Sequence, residues 1–181
     1  MQDIKYDIYR YYGRYSETIK EKIYRPNGLK YLYVFRKLKN LKNKIFKIYY
    51  KMILHRISKK TFIQIPIQTK IGKGFYIGHD GPIVINPNVV IGNNCNIANG
   101  VVIGQENRGI RKGTPTIGNN VWIGANSVIV GKINIGNDIL IAPLTYINFD
   151  VPDHSIVIGN PGKIIYKNNA TEGYINRKVD C

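Results

Sequence analysis

Isoleucine recurs every six residues in three runs between residues 65 and 147, and this period restricts the fold more than any other feature. In seven of these hexads, glycine follows the isoleucine. A period of six fits neither an α-helix, with about 3.6 residues per turn, nor a strand with simply alternating side chains, but it fits short strands joined by tight corners. The isoleucines of the series are Ile65, Ile71, Ile77, Ile85, Ile91, Ile97, Ile103, Ile117, Ile123, Ile129, Ile135, Ile141 and Ile147.

Three such hexads would close one coil of a parallel β-helix. The isoleucines would point inward and stack at about 4.8 Å from coil to coil, while Gly and Asn would supply the positive φ angles of the corners. The repeated Ile-Gly pair resembles the left-handed parallel β-helix of the hexapeptide-repeat acyltransferases. We therefore predict a mainly β fold, a left-handed parallel β-helix with a short N-terminal α-helical segment. The expected divisions are a basic helical segment (1–60), the β-helix acyltransferase domain (61–165) and a C-terminal tail (166–181).

Two insertions interrupt the hexads. Ile85 follows Ile77 by eight positions, and Ile117 follows Ile103 by fourteen. A stacked coil accommodates extra residues by extruding them as loops, and loops on a rigid scaffold commonly carry function. His79 lies in the first insertion, and residues 105–116 contain the second.

The first insertion points to acetyl transfer. The stretch IGKGFYIGHDGPIVI, residues 71–85, resembles the segment around the catalytic histidine of the serine acetyltransferase branch. This resemblance implies that His79 is a general base, that acetyl-CoA is the cosubstrate and that the sites lie between the β-helices of a homotrimer. A neutral imidazole suits the removal of a hydroxyl proton near neutral pH. The alternative is that His79 merely caps a corner.

The same resemblance suggests where coenzyme A would bind. Gly104, Gly124 and Ala125 match small groove positions of that branch, and GNPGKII, residues 159–165, resembles its closing motif. Lys163 is then a candidate partner for a phosphate. The small residues could equally follow from the corners of the β-helix. No metal is expected, because no Cys/His cluster has the spacing of metal ligands.

Charged residues that the resemblance would require for serine are replaced. Gln64 occupies the position of the aspartate that orients the histidine, Gly78 that of an acidic residue, and Gly113 and Thr114 those of an Arg-His pair. Neutral replacements suit an uncharged acceptor, so we expect a sugar hydroxyl of a surface polysaccharide or its precursor. The alternatives are serine itself and a noncatalytic β-helix scaffold. The polar loop residues expected to bind the sugar are Asp80, Asn107 and Arg108.

The N-terminal third carries most of the net charge of +16. Residues 16–24 predict a short helix capped by Ser16, and an apolar stripe from Leu29 to Ile53 predicts one long amphipathic helix with a basic polar face. The stripe would pack on the first coil or a trimer partner, or residues 29–58 would contact anionic membrane. No nucleic-acid partner is expected. The first ten residues are too polar for a signal peptide, which favours a cytoplasmic location. Contact of the basic face with membrane would make the protein peripheral on the inner membrane face.

Overall fold

The structure, a computed structural model, describes residues 3–180 and contains a parallel β-helix with three sheets as its sides. Sheet A consists of β1 (Ile63–Gln64), β4 (Ile83–Ile85), β7 (Val102–Gly104), β10 (Val128–Val130) and β13 (Tyr146–Ile147). Sheet B consists of β2 (Lys70–Ile71), β5 (Val90–Ile91), β8 (Thr116–Ile117) and β11 (Asn134–Ile135). Sheet C consists of β3 (Tyr76–Ile77), β6 (Asn96–Ile97), β9 (Val121–Ile123), β12 (Ile139–Ile141), β14 (Ser155–Ile158) and β15 (Lys163–Tyr166), of which β15 is antiparallel.

From β1 to β13, each strand pairs with the third strand after it, as three hexads per coil require. Ile77 lies beside Ile97, and Ile97 lies beside Ile123. On sheet A, Val102 pairs with Val128 although the long insertion separates them, so the extra residues leave the register intact. The isoleucines are buried between the sheets. The predicted parallel β-helix is confirmed.

The corners between sheets B and C are fixed by stacked polar residues. The side-chain oxygens of Asn119, Asn137 and Asp153 each accept a hydrogen bond from a backbone N–H of the coil before, at 2.7–2.8 Å. Asn120, which follows Asn119, has a φ of 54°, and Asp138, which follows Asn137, has a φ of 55°. Asn and Asp tolerate this conformation better than other non-glycine residues, so the sequence of each corner matches its backbone.

The glycine of the Ile-Gly pair is required by the close approach of the coils, and this yields a prediction. A Cβ on Gly118 would lie 2.6 Å from the carbonyl oxygen of Gly136 in the next coil. We expect Gly118→Ala to lower the free energy of unfolding by about 1–3 kcal/mol. Gly104→Ala is the control, because its Cβ would meet nothing nearer than 3.4 Å. Urea denaturation of both proteins checks this, and equal losses would contradict it.

Four helices precede the β-helix: α1 (Asp3–Tyr12), α2 (Ile19–Ile23), α3 (Asn27–Asn40) and α4 (Lys44–Thr61). Two sequence predictions are wrong in detail. The cap of α2 is Thr18 rather than Ser16, because Thr18 forms a reciprocal capping box with Glu21. The single long helix is interrupted before α4, where the Asn43 side chain accepts hydrogen bonds from two backbone N–H groups of a new helix.

Helices α1 and α3 cover the first coil through a buried ion pair. Arg36 Nε donates to Asp7 Oδ2 at 2.8 Å, and the same guanidinium donates to the carbonyl oxygens of Ile71 and Gly72. The Asp7 carboxylate also accepts the backbone N–H of Phe75 at 2.9 Å. Both charged groups are thus satisfied where two helices meet the β-helix.

The apolar stripe has different environments in the two helices. Leu29, Leu32 and Phe35 of α3 are fully buried, so packing is the correct alternative for this half. In α4, Ile45 is 76% and Ile48 is 62% exposed. Within residues 3–180, no helix is long and apolar enough to cross a membrane.

Candidate active site

His79 lies on a short loop that is held at both ends. The N–H of Gly78 donates to the Ile97 carbonyl at 3.2 Å, and the N–H of Gly81 donates to the Thr61 carbonyl at 3.1 Å. The His79 side chain is exposed, and no hydrogen bond joins its ring to another described residue. The loop therefore presents a free imidazole on a fixed backbone.

A cavity of about 390 Å³ lies beside this loop. Its wall on the β-helix side comes from sheet C, and the opposite side comes from α1 and the C-terminal segment. The aromatic rings of Trp122 and Tyr174 pack edge to face with their centroids 5.0 Å apart. This contact links sheet C to the C-terminal segment. The residues that line the cavity include His79, Arg10, Tyr11, Tyr76, Trp122 and Arg177.

Arg10 brings a buried positive charge to this cavity. Its guanidinium donates to the carbonyls of Asn176 and Gly74 and to the side-chain oxygen of Asn96, at 2.5–3.0 Å. Burial lowers the pKa of Arg10, but a guanidinium remains protonated in proteins. Because all three of these acceptors are neutral, they leave the charge uncompensated.

Two corner side chains anchor the C-terminal segment on the β-helix, in addition to Asn96, whose Nδ2 donates to the Tyr174 carbonyl at 3.3 Å. Asp138 accepts hydrogen bonds from the N–H groups of Ala170 and Thr171 and from the Thr171 hydroxyl, at 2.7–3.0 Å. Asn94 bonds both the N–H and the carbonyl of Val179 at 2.9 Å. These two anchors bring Arg177 to the mouth of the cavity, where it donates to the Tyr11 carbonyl.

The Asp138 anchor predicts a pH dependence. Burial would raise the pKa of Asp138, but hydrogen bonds from Thr171, His154 and Ala170 outweigh it and lower the pKa to about 2. Since the carboxylate is favoured in the folded state, its contribution is complete above about pH 4 and is lost as the pH falls towards 2. We expect Asp138→Asn to lower the free energy of unfolding by roughly 1–3 kcal/mol at pH 7. Urea denaturation between pH 7 and pH 2 should show this difference shrinking.

The exposed Glu172 of the same segment provides a control. Glu172→Gln removes a carboxylate without touching the anchor, so we expect little change at any of these pH values. A difference for Asp138→Asn that stayed constant down to pH 2 would contradict the assignment.

Several residues assigned to coenzyme A lie along the same edge of the β-helix as His79. This edge joins sheet C to sheet A. Gly124 and Ala125 follow β9, two coils beyond His79, and Lys163 begins β15 at the end of the sheet. Gly124 also packs tightly against the next coil, since a Cβ would lie 2.6 Å from the Pro143 nitrogen, so its smallness has a structural cause as well.

The remaining candidates lie elsewhere. Gly104, Asn107 and Arg108 belong to the edge between sheets A and B, where the Gln105 side chain donates to Asn107 at 2.6 Å. Asp80 follows His79, but its carboxylate accepts a hydrogen bond from Asn27 at 2.5 Å rather than lining the cavity. Within one copy of the chain, these residues and His79 are therefore not assembled into one site.

Gln64 lies outward on β1, beside α4. No hydrogen bond among the described residues joins it to His79, so it does not supply the orienting group of the replaced aspartate.

Sequence reasoning missed the residues that the two chain ends bring to the cavity. In α1, Ile4 and Ile8 are spaced as one face of a helix, and this signal could have been used. The segment around Arg177 has no such periodicity, and its position depends on side chains far away in the sequence. The sequence prediction of an uncharged acceptor took no account of Arg10 and Arg177, which line this cavity.

Comparison with known proteins gives relatives that include serine acetyltransferases. No family model matches the chain. A serine acetyltransferase from Synechococcus elongatus is 32% identical over 117 residues, which is 65% of this chain and 48% of the relative. The structure of Neisseria gonorrhoeae serine acetyltransferase in complex with serine matches with a TM-score of 0.72 at 26% identity, over 91% of this chain and 68% of that chain.

A second structure, a serine acetyltransferase from Brucella abortus strain S19 in complex with coenzyme A, matches with a TM-score of 0.71 at 24% identity, over 92% of this chain and 66% of that chain. Measured against the cyanobacterial protein, the chain spans about half the length of the relative. The chain is thus similar in sequence to serine acetyltransferases, and it shares the β-helix fold that its Ile-Gly hexads predicted.

Proposed function

We propose that the protein is an acetyl-CoA-dependent O-acetyltransferase in which His79 is the general base. The observation that carries this proposal is the free imidazole of His79, held on a fixed loop at the wall of a cavity. The named relatives support it, because each is a serine acetyltransferase.

The chemistry needs one base and no second nucleophile. Acetyl-CoA supplies an activated acetyl thioester. His79 takes the proton of the acceptor hydroxyl as that oxygen attacks the thioester carbonyl, and its imidazolium returns the proton to the departing thiolate. The products are an acetate ester and coenzyme A, so atoms and charge balance. The fixed loop keeps the imidazole oriented between the two transfers.

The edge that carries His79 suits a long cosubstrate. Lys163 begins β15, which is five strands from β3 and the His79 loop in the order of sheet C, or about 24 Å at about 4.8 Å per strand. A ligand with its thioester at one end and phosphates at the other could lie along this edge, with Lys163 near a phosphate and Ala125 leaving room for the arm. Gly124 and Ala125 then serve both the corner and the groove.

A homotrimer would bring the two edges together. His79 and Lys163 lie on one side of sheet A, whereas Gly104, Asn107 and Arg108 lie on the other. Packing of sheet A against a second copy would place the second set of residues beside the first set of the neighbour. The outward face of sheet A carries apolar side chains suited to such a contact, namely Val84, Val102, Val128 and Val130.

For the acceptor, we propose serine. The relatives named above are serine acetyltransferases, so they favour the alternative of the sequence analysis over the sugar hydroxyl. The neutral residues at positions 78, 113 and 114 were the argument for a sugar, and the arginines beside His79 weaken it.

The test is release of coenzyme A thiol from acetyl-CoA in the presence of L-serine or of neutral sugars. We expect turnover with serine. Turnover with sugars alone would restore the polysaccharide acceptor. Absence of turnover with every hydroxyl compound, together with absence of acetyl-CoA binding by calorimetry, would favour the noncatalytic scaffold.

We further propose that α4 contacts anionic membrane. Ile45, Ile48 and Met52 are spaced along the exposed side of this helix, and Lys44 and Lys51 flank them. Apolar side chains bordered by cations complement a surface of acidic headgroups. The buried stripe of α3 takes no part, which narrows the expected contact from residues 29–58 to α4.

Sedimentation with vesicles measures this contact. We expect binding to vesicles that contain phosphatidylserine and loss of binding at high salt, because screening weakens surface attraction. Ile48→Asp should also abolish binding, whereas Val34→Ala in the packed helix α3 should not. Salt-resistant self-association through α4, without vesicle binding, would instead identify a second copy as its partner.

A further inference from the structure

Helix α1 and the C-terminal segment bring Arg10 and Arg177 into the cavity that contains His79. The similarity to serine acetyltransferases assigns neither arginine a role. Arg10 comes from α1, and Arg177 comes from the C-terminal segment, 166 positions after Tyr11, to which it is bonded. The cavity that they share also contains His79. This arrangement depends on the two ends meeting and is invisible in the hexads.

The charge of this cavity is one-sided. Among the described residues that line it there is no Asp or Glu, and no carboxylate oxygen within residues 3–180 lies within 4.0 Å of either guanidinium. The nearest acidic group in the sequence of α1, Asp7, is committed to Arg36. The charges of Arg10 and Arg177 therefore favour binding of a ligand that carries a negatively charged group.

The two arginines differ in what they can still bind. Arg10 is 5% exposed and uses three of its nitrogen atoms to hold Gly74, Asn96 and Asn176. Arg177 is exposed and donates one hydrogen bond, to the Tyr11 carbonyl, so most of its planar fork is unused. An arginine fork matches the two oxygens of a carboxylate, and a buried charge behind it strengthens the attraction.

We propose that Arg177, backed by the charge of Arg10, binds the carboxylate of the acceptor and thereby determines specificity for hydroxy acids over uncharged alcohols. This inference rests on the proposed acetyl transfer and names the group that the site recognises. The acceptor would place its hydroxyl towards His79 and its carboxylate towards Arg177, between the walls formed by Tyr76 and Trp122.

The test compares L-serine with L-serinamide, which lacks the carboxylate. In the unmodified protein we expect kcat/KM for serinamide to be about 10- to 100-fold lower, the size of one charge-assisted contact. Arg177→Gln should raise KM for serine by a similar factor with little change in kcat, and should leave serinamide unaffected. Arg177→Lys should recover part of the loss, because it keeps the charge without the fork.

Lys178→Gln is the matched control, since it removes the same charge from the adjacent exposed residue outside the cavity lining. Equal losses for serine and serinamide in Arg177→Gln, or equal losses in Lys178→Gln, would overturn the inference. Thermal denaturation of each variant checks that the C-terminal segment remains folded.

Equilibrium binding separates this inference from the proposed function. Calorimetry with glycerate and with glycerol needs no turnover, and we expect glycerate alone to bind, with affinity reduced in Arg177→Gln. If serine is not acetylated but glycerate binds in this way, the acceptor is wrong and the carboxylate site stands. If neither serine nor glycerate binds through Arg177, the carboxylate site is wrong whatever the enzyme acetylates.

Discussion

Replacement of His79 by alanine is expected to lower kcat for acetyl transfer by about 10²- to 10⁴-fold, the contribution of a positioned general base. The loss follows because the exposed imidazole has no neighbouring base to substitute for it among the side chains that line the cavity within the described chain. The stability of the protein should change by less than about 0.5 kcal/mol, since the side chain is exposed and makes no hydrogen bond. Thiol release under saturating acetyl-CoA and serine measures the effect.

His55→Ala is the control for this experiment. His55 is exposed on α4, away from the cavity that contains His79, so its removal should leave turnover unchanged. Full turnover in the His79 variant would remove this residue from the mechanism. Both variants should still bind coenzyme A. A binding measurement therefore distinguishes loss of the general base from damage to the coenzyme A groove.

The second large effect is expected at the buried ion pair of α1 and α3. Asp7→Ala leaves the guanidinium of Arg36 buried without its counter-charge, and removal of one partner of such a pair typically costs about 3–5 kcal/mol. It also frees the N–H of Phe75, which Asp7 accepts at 2.9 Å. Urea denaturation should therefore show a large fall in the free energy of unfolding.

An exposed ion pair of the same kind provides the comparison. Arg14 pairs with Glu21 near α2, where solvent screens the charges, and Arg14→Ala should have a much smaller effect than Asp7→Ala, because it leaves the capping box of Glu21 and Thr18 in place. In the buried pair, Asp7→Ala combined with Arg36→Ala should cost less than the sum of the single changes, because no lone charge remains. Strict additivity would show that the two side chains stabilise the fold independently.

The hexads predicted the β-helix because a period of six admits few other folds. Their spacing also predicted that the insertions would be extruded as loops without changing the strand register. Val102 pairs with Val128 across the long insertion, as this prediction requires. The interruption before α4 escaped prediction because the apolar spacing continues across it, while the cap at Asn43 competes locally with the helix. The spacing of apolar residues predicts which face of a helix is buried, but it does not predict the residue at which the helix begins.

The cavity could not be predicted for a different reason. His79 is marked by its position at an insertion, but Arg10 and Arg177 reach it through contacts between residues far apart in the chain. Asp138 looks in the sequence like one more corner residue, and its second use, holding Thr171, appears in three dimensions. Local sequence patterns therefore predict the coils of the β-helix, but they do not predict the contacts between α1 and the C-terminal segment.

The meeting of the chain ends has a consequence for synthesis. The coils can stack as the chain emerges, since each contacts its neighbours, but Arg177 can reach Tyr11 only after all the residues between these two positions have been made. A chain shortened after residue 169 would retain every coil and His79, yet would lack the groups that Asp138 and Asn94 anchor. Synthesis of the segment that carries Arg177 and closure of the proposed acceptor cavity are then the same event, so chains that lack this segment should fold without acquiring the specificity that Arg177 is proposed to give.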